Sequence, residues 1–336
     1  MLARCLVLVY CAEALAWTGL CAACLRAGLS VPAVVLIIAL AILGLRLVIV
    51  AFMFAVAWRY RSPWPDTLPR VKGAWWRLFL REYLILIALY SGYMLFERLL
   101  RTRLSDRPHT QGPLPVIFVH GFFCNSGYWW SLIRFLRARD HHNLFTLNLD
   151  PVHGSIDQFA GQLAARVDEI LEATGQDKVI LVGHSMGGLV ARAYCRRFGG
   201  TMRVRGIITL GSPHSGTVHA RFSRARGAMD MRVGSQWLLD LSGIEAMSEA
   251  VVIPVTSIYT VHDNIVSPQA SAVLVNARNI ALAGMGHLSL AWDRTVQELV
   301  ARELEAARSG WLQNSDSAEA PCTSPLIAPI RESMAS

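Results

Sequence analysis

The chain has 336 residues, 53% of them hydrophobic, with a formal charge of +8 at pH 7 and a mean hydropathy of +0.37. That length allows about two domains, and the hydropathy is uneven, concentrated in residues 1–100 while the rest has the balance of a soluble α/β domain. The basic residues cluster beside the apolar stretches, at Arg59, Arg61, Arg70, Lys72, Arg77 and Arg81, then at Arg98, Arg101, Arg103 and Arg107; this placement suits lipid headgroups and topology signals and, with no nucleic-acid reader motif, argues against a nucleic-acid partner.

Residues 2–25 are apolar apart from Arg4 and Glu13, and residues 31–58 apart from Arg46. Each is long enough to cross a hydrocarbon core, which takes about 20 residues. A second span follows the first almost at once, which argues against a cleaved leader and predicts a helical hairpin turning at residues 26–30. Glu13 and Arg46 then lie at similar distances from the turn on opposite arms. A charged group at mid-membrane demands a partner, so a Glu13–Arg46 pair is one expectation; the other is that Arg46 snorkels or meets a second subunit. Of the seven cysteines, Cys5, Cys11, Cys21 and Cys24 fall in the first apolar segment and read as packing residues rather than a disulfide framework.

A third apolar stretch, residues 83–96, could span if extended to 78–100, but Arg81, Glu82, Glu97 and Arg98 press on both ends. A short span and an interfacial helix are both open. The basic linker over residues 59–81 is expected in the cytoplasm; three spans put the remainder of the chain on the other side, two keep it beside the linker, and the reading leans to three. Residues 1–106 are therefore taken as a membrane region, 107–115 as a linker, 116–308 as a catalytic domain and 309–336 as a disordered tail rich in Ser, Ala and Pro.

The catalytic half begins with a strand, Val116–Val119, that runs into His120, Gly121 and Phe122. A His-Gly turn after an apolar strand is one place for backbone donors that stabilise developing negative charge. Further on, a strand over 178–182 enters Gly183-His184-Ser185-Met186-Gly187-Gly188, a Gly-x-Ser-x-Gly elbow followed by a helix over 186–198. Such a strand–turn–helix exposes the serine hydroxyl above a sheet, with Gly183 and Gly187 allowing the backbones to pass closely. Ser185 is the predicted nucleophile, and the amides of Phe122 and Met186 are the predicted oxyanion donors.

These stretches, with Leu210-Gly211-Ser212-Pro213-His214-Ser215-Gly216-Thr217, come in an order that resembles the α/β-hydrolase superfamily. Within it the likeness is to bacterial triacylglycerol lipases and membrane-associated lipase-like esterases, over about residues 113–306. The resemblance implies a mostly parallel sheet flanked by helices and a triad in the chain order serine, acid, histidine. Asp263 follows a strand over 253–259, and His287 follows a strand over 277–282 in a Gly-rich turn, so these two are assigned as orienting acid and general base. Asp150 precedes the elbow and His262 precedes the acid, which places both outside that order. His120, His184 and His214 read as turn-shaping residues. Residues 217–251 correspond to a region that covers or borders the site in lipases, with a lid and a plain helical cap both open.

The resemblance further implies hydrolysis of carboxylic esters through an acyl-enzyme, with an ester or acyl-lipid substrate. No cofactor is expected, no carboxylate pair around Asp263 and His287 suggests a metal site, and the apolar hairpin points to an integral place in a membrane, expected to be a bacterial inner membrane. Acyl transfer through the same intermediate and a silent membrane scaffold are the alternatives.

Overall fold

A computed structural model describes residues 2–66, 68, 75–100, 103–105, 107–110, 112–247 and 253–309. The chain opens with two long helices, α1 (Leu2–Arg26) and α2 (Val31–Arg59), joined by a turn in which Gly28 takes a φ of 82°. Ser30 and Pro32 at the start of α2 suit a helix N-terminus, where the missing proline N–H costs nothing. Both helices are long and apolar enough to cross a membrane. Neither is packed as a buried core helix: none of the most apolar window of α1 is buried, and only 17% of that of α2 is. Their large aliphatic side chains face outward along most of their length.

The two charges in the hairpin meet. Arg46 Nη2 donates to Glu13 Oε2 at 2.6 Å, and Nη1 donates to the Ile42 carbonyl one turn back at 3.2 Å. The guanidinium also lies over the Tyr10 ring. Arg46 thus has its partner within the chain.

The third apolar stretch is broken up. Helix α3 (Trp75–Ala88) has 14 residues, short of a span, and passes through a π-helical turn at Leu89–Tyr93 into the single turn α4 (Glu97–Leu100). Part of this segment is covered by protein, while Leu80, Leu84, Phe96 and Leu99 are exposed. Leu86, Leu89 and Met94 share a core with Phe118, Trp129 and Leu132 of the following domain. Backbone contacts are as close: Asn125 Nδ2 donates to the Met94 carbonyl at 2.8 Å, and a side chain at Gly127 would collide with the Tyr93 carbonyl. Among the described residues, two helices qualify as spans, not three.

The rest is a six-stranded, wholly parallel sheet in the order β2-β1-β3-β4-β5-β6. The strands are β1 (Val116–Val119), β2 (Leu144–Leu147), β3 (Val179–His184), β4 (Val204–Leu210), β5 (Val255–Thr260) and β6 (Arg278–Leu282). Continuous apolar runs are what a sheet covered on both faces requires. Alternate residues feed the two layers: Val116 and Phe118 pack with α5 (Trp130–Arg137) and α10 (Arg294–Ser309), whereas Ile117 and Val119 pack with α6 (Ile156–Thr174) and α7 (Met186–Arg197). Helix α6 starts at Ser155, whose hydroxyl accepts from Gln158 N, and stops at Gly175 in the left-handed region.

Strand ends predicted from sequence fall within a few residues of those found. Strand β4 had no counterpart in that reading. Residues 217–251 hold two short helices, α8 (Arg226–Asp230) and α9 (Gln236–Met247). The expected tail from 310 onward lies outside the described residues.

The Glu13–Arg46 contact makes a direct prediction. Glu13→Gln and Arg46→Gln should each lower the thermal stability of the detergent-solubilised protein, and the double variant should lose less than the two losses combined. The expected coupling is about 0.5–3 kcal/mol, read from a double-mutant cycle; strict additivity would contradict it.

Candidate active site

The order of strands puts the site where it is. Strand β1 lies between β2 and β3, so the chain reverses direction across the sheet beside β1. The loops after β1 and β3 diverge there and leave a crevice at the carboxyl ends of the strands. His120–Phe123 follow β1, and Ser185 follows β3.

Ser185 has φ 53° and ψ −124°, an uncommon conformation for a residue with a side chain. Three glycines make it feasible. Added carbons at Gly187 and Gly188 would collide with the Val119 carbonyl and the Ser212 hydroxyl, and one at Gly183 would lie 2.5 Å from Gly188 N. Helix α7 therefore starts almost in contact with the ends of β1 and β3. The Ser185 amide donates to the Leu210 carbonyl of β4 at 2.9 Å, which fixes the turn from below.

The oxyanion turn sits against the elbow. A Cβ at Gly121 would come within 2.8 Å of Ser185 Cβ. Phe123 is held at φ 52°, and its carbonyl accepts from Tyr90 Oη at 3.2 Å. Among the described residues, neither the Phe122 amide nor the Met186 amide donates to a protein acceptor. Two free N–H groups next to the serine are what an oxyanion hole requires.

Asp263 and His287 come together from the ends of β5 and β6. His287 Nδ1 donates to Asp263 Oδ2 at 2.8 Å, with both side chains 3% exposed. The other carboxylate oxygen, Oδ1, accepts from the amides of Ile265 and Val266 at 2.8 and 2.6 Å. Three donors thus fix the carboxylate and, through it, the imidazole. The dyad lies against the ends of β4 and β3: a Cβ at Gly211 would be 3.2 Å from both Asp263 Oδ2 and His287 Nδ1, and the His184 and His287 rings are 4.6 Å apart. Among the described residues no hydrogen bond links Ser185 Oγ to His287; in free enzymes such contacts are often long and tighten when substrate is bound.

The other histidines are occupied. His120 Nδ1 donates to the Gly121 carbonyl at 2.9 Å, and its Nε2 accepts from Leu149 N at 3.1 Å. His184 is stacked on Tyr128 and donates from Nε2 to the His287 carbonyl at 3.3 Å. His214 lies between Thr209 and Arg192. His262 accepts from Gly284 N at 2.9 Å, with Trp64 and Trp75 edge-on to its ring. Burial pushes His120 down to about 4 and holds His184 and His214 well below the usual imidazole range.

Sequence reasoning missed several residues that shape this site. Asn264 Oδ1 accepts from His287 N at 2.9 Å, and Glu82 Oε2 and Oε1 accept from Leu288 N and Ser289 N at 3.0 Å each. No pattern in the sequence signals an acceptor for a backbone amide, although the Gly-rich spelling around His287 hints that something approaches closely. Arg192 of α7 makes a two-pronged pair with Glu245 of α9, at 2.9 and 2.6 Å. That pair and the Arg197–Trp237 contact tie α9 to the helix behind Ser185, an arrangement suited to a fixed cap.

Residues 115–231 match the family model for the alpha/beta hydrolase fold, a stretch that includes the oxyanion turn and the elbow. A triacylglycerol lipase of Pseudarthrobacter phenanthrenivorans is 37% identical over 117 residues, 32% of this chain and 35% of that protein. A pimeloyl-acyl-carrier-protein methyl ester esterase of Yersinia enterocolitica is 31% identical over 109 residues, 32% of this chain and 40% of that protein. The chain thus spans about a third of the length of the curated relatives it matches. Among solved structures, the mature lipase BlEst2 of Bacillus licheniformis superposes with a TM-score of 0.52 at 17% identity, covering 60% of this chain and 95% of that one. Lipase B of Aspergillus fumigatus gives 0.50 at 20% identity, covering 60% and 54%. These structures share the fold.

The buried His120 has a consequence for stability. Its folded value lies below the unfolded one, so the unfolded chain takes up the proton first as pH falls. The stability this residue allows is intact above about pH 6.5 and is lost as pH drops toward 4. At pH 5 the loss from His120 alone is about 2 kcal/mol. Chemical denaturation at pH 7 and pH 5 should show it, and His120→Asn should reduce the pH dependence by a similar amount.

Proposed function

We propose that this lipase-like α/β-hydrolase is a membrane-anchored serine hydrolase that cleaves carboxylic esters, with acyl lipids as the substrate class. The observation that carries the reading is the convergence on one sheet edge of a strained serine turn, two free amides and a buried His–Asp dyad. In this reading His287 takes the Ser185 proton as Oγ attacks the ester carbonyl. The negative charge on the tetrahedral oxygen is received by the amides of Phe122 and Met186. His287 then gives its proton to the departing alcohol, leaving the acyl group on Ser185. Water, deprotonated by the same imidazole, attacks the acyl-enzyme and releases the acid. Asp263 orients the imidazole and stabilises the imidazolium without taking the proton itself. Its three hydrogen bonds suit that task.

The lipid assignment draws on the match to triacylglycerol lipases and on the site's attachment to an apolar hairpin. For topology we infer two spans, with residues 1–106 as the membrane region and its connection and 116–308 as the catalytic domain. Arg59 and Arg61 at the end of α2 favour a cytoplasmic location for that end by the positive-inside rule. Ser62, directly after them, bonds the catalytic domain: its amide donates to Gln269 Oε1 at 2.9 Å, and its hydroxyl accepts from Ala270 N at 2.8 Å. With α3 lying against the domain and not crossing, the hydrolase stays on the cytoplasmic face.

A fluorophosphonate probe should label the purified protein at Ser185 and leave Ser185→Ala unlabelled. In an ester series, Ser185→Ala and His287→Ala should lose turnover to background, and Asp263→Asn should lower kcat by about 10⁴-fold. Absence of Ser185-dependent labelling and turnover would overturn the reading. Protease protection on intact membrane vesicles tests the side.

A further inference from the structure

We propose that Glu82, supplied by the helix between the membrane hairpin and the hydrolase domain, is a positioning residue that holds the His287 loop in register with Ser185. The proposal rests on the hydrolase reading above and deepens it: the site is completed by a residue from outside the hydrolase domain.

The loop after β6 is fixed through a backbone group of every residue from 285 to 289. Thr260 Oγ1 donates to the Met285 carbonyl at 2.7 Å, and Gly286 N donates to Ser289 Oγ at 3.0 Å. His287 N donates to Asn264 Oδ1, then Leu288 N and Ser289 N each donate to one oxygen of Glu82. The first three contacts come from β5, from the loop behind it or from the β6 loop itself. The last two come from 206 and 207 residues earlier in the chain.

Glu82 is fully buried. Among the described residues no Lys or Arg pairs with it. Its neighbour Arg81 turns instead to Asp293, at 2.8 Å, at the far end of the same segment. Consecutive residues of α3 thus seize the chain just after His287 and again just before α10. Removing a carboxylate from water without a cation is costly, and here the two amides are its compensation. A filler side chain would need neither the charge nor the fork. A carboxylate offers two acceptors at the spacing of successive amides, and charge-assisted bonds are the stronger ones.

Gly286 gives a second, independent sign of this fit. A side chain there would run into the Glu82 carboxyl carbon and lie 2.5 Å from its Cγ. The glycine beside the general base is therefore the space into which the carboxylate reaches. The imidazole is held on one side by Asp263 through its ring and on the other by Glu82 through its backbone. A shift of about 1 Å in such a group is enough to cost about 10²-fold in rate.

The test uses the full-length protein in detergent micelles with p-nitrophenyl butyrate as substrate. Active sites are titrated with the fluorophosphonate so that kcat refers to folded enzyme. Glu82→Gln keeps the shape and one acceptor, Glu82→Ala keeps neither, and Gly286→Ala displaces the carboxylate from the loop side. The expected result is a graded fall in kcat, about 10-fold for Gln and more for Ala and for Gly286→Ala, with KM within about twofold of wild type. If Glu82→Ala fails to fold, the Gln and Gly286→Ala variants carry the comparison. Wild-type kcat per titrated site in Glu82→Gln, beside an active wild-type enzyme, would overturn the positioning role alone. Loss confined to the number of titratable sites would also overturn it, since that is what a purely structural carboxylate does. Absence of Ser185-dependent turnover in the wild type would remove the hydrolase reading and this proposal together.

Discussion

The architecture depends on how closely helix α7 can approach the ends of β1 and β3. Gly183, Gly187 and Gly188 remove the side chains that would hold the backbones apart, and Gly121 does the same for the neighbouring turn. With that approach, Ser185 is forced into its unusual torsions and its hydroxyl stands at the sheet edge. The amides of Phe122 and Met186 are then on the same side because β1 and β3 are adjacent. The dyad reaches the same edge from two strands farther along, where parallel pairing aligns all the carboxyl ends. One steric constraint at the elbow and one topological constraint in the sheet account for the arrangement.

Much of this was legible in the sequence. Apolar runs bounded by turn residues placed β1, β3, β5 and β6 within a few residues, and the glycine pattern identified the elbow. Strand β4 was missed because Arg205 and Gly206 interrupt its apolar run near the start. In the sheet, Arg205 lies at the margin, where its Nε donates to the Ala307 carbonyl. The third apolar stretch was harder for a different reason. Composition reports that side chains avoid water, and lipid and protein interior satisfy that equally. Leu86, Leu89 and Met94 avoid it inside protein. Glu82 looked like the charged margin of a span for the same reason, since nothing local marks a side chain whose partners lie 206 residues away.

The hairpin and the α/β domain are joined by more than a linker. Met53 in α2 accepts through its carbonyl from His219, Phe52 packs edge-on against Phe222, and Leu2 of α1 enters the main core. Trp58, Trp64 and Trp75 gather near His262 where α2 ends, with Arg61 over the Trp58 ring. Tryptophan and arginine are the side chains suited to the boundary between hydrocarbon and water. In the proposed membrane setting, they would set the depth of the hairpin and the orientation of the domain with the same contacts.

The long sequence separation between Glu82 and the loop it grips gives the protein a sense of its own completeness. During synthesis the hairpin, α3 and the serine elbow all emerge before residues 286–289. Under the proposed mechanism, a growing chain carries Ser185 without His287 until the loop after β6 arrives, and Glu82 of α3 lacks the amides it binds. That loop supplies the imidazole and both amides together. On this reading, a chain stalled before the loop has a serine with no base, and turnover waits on the same segment that completes the packing of α3.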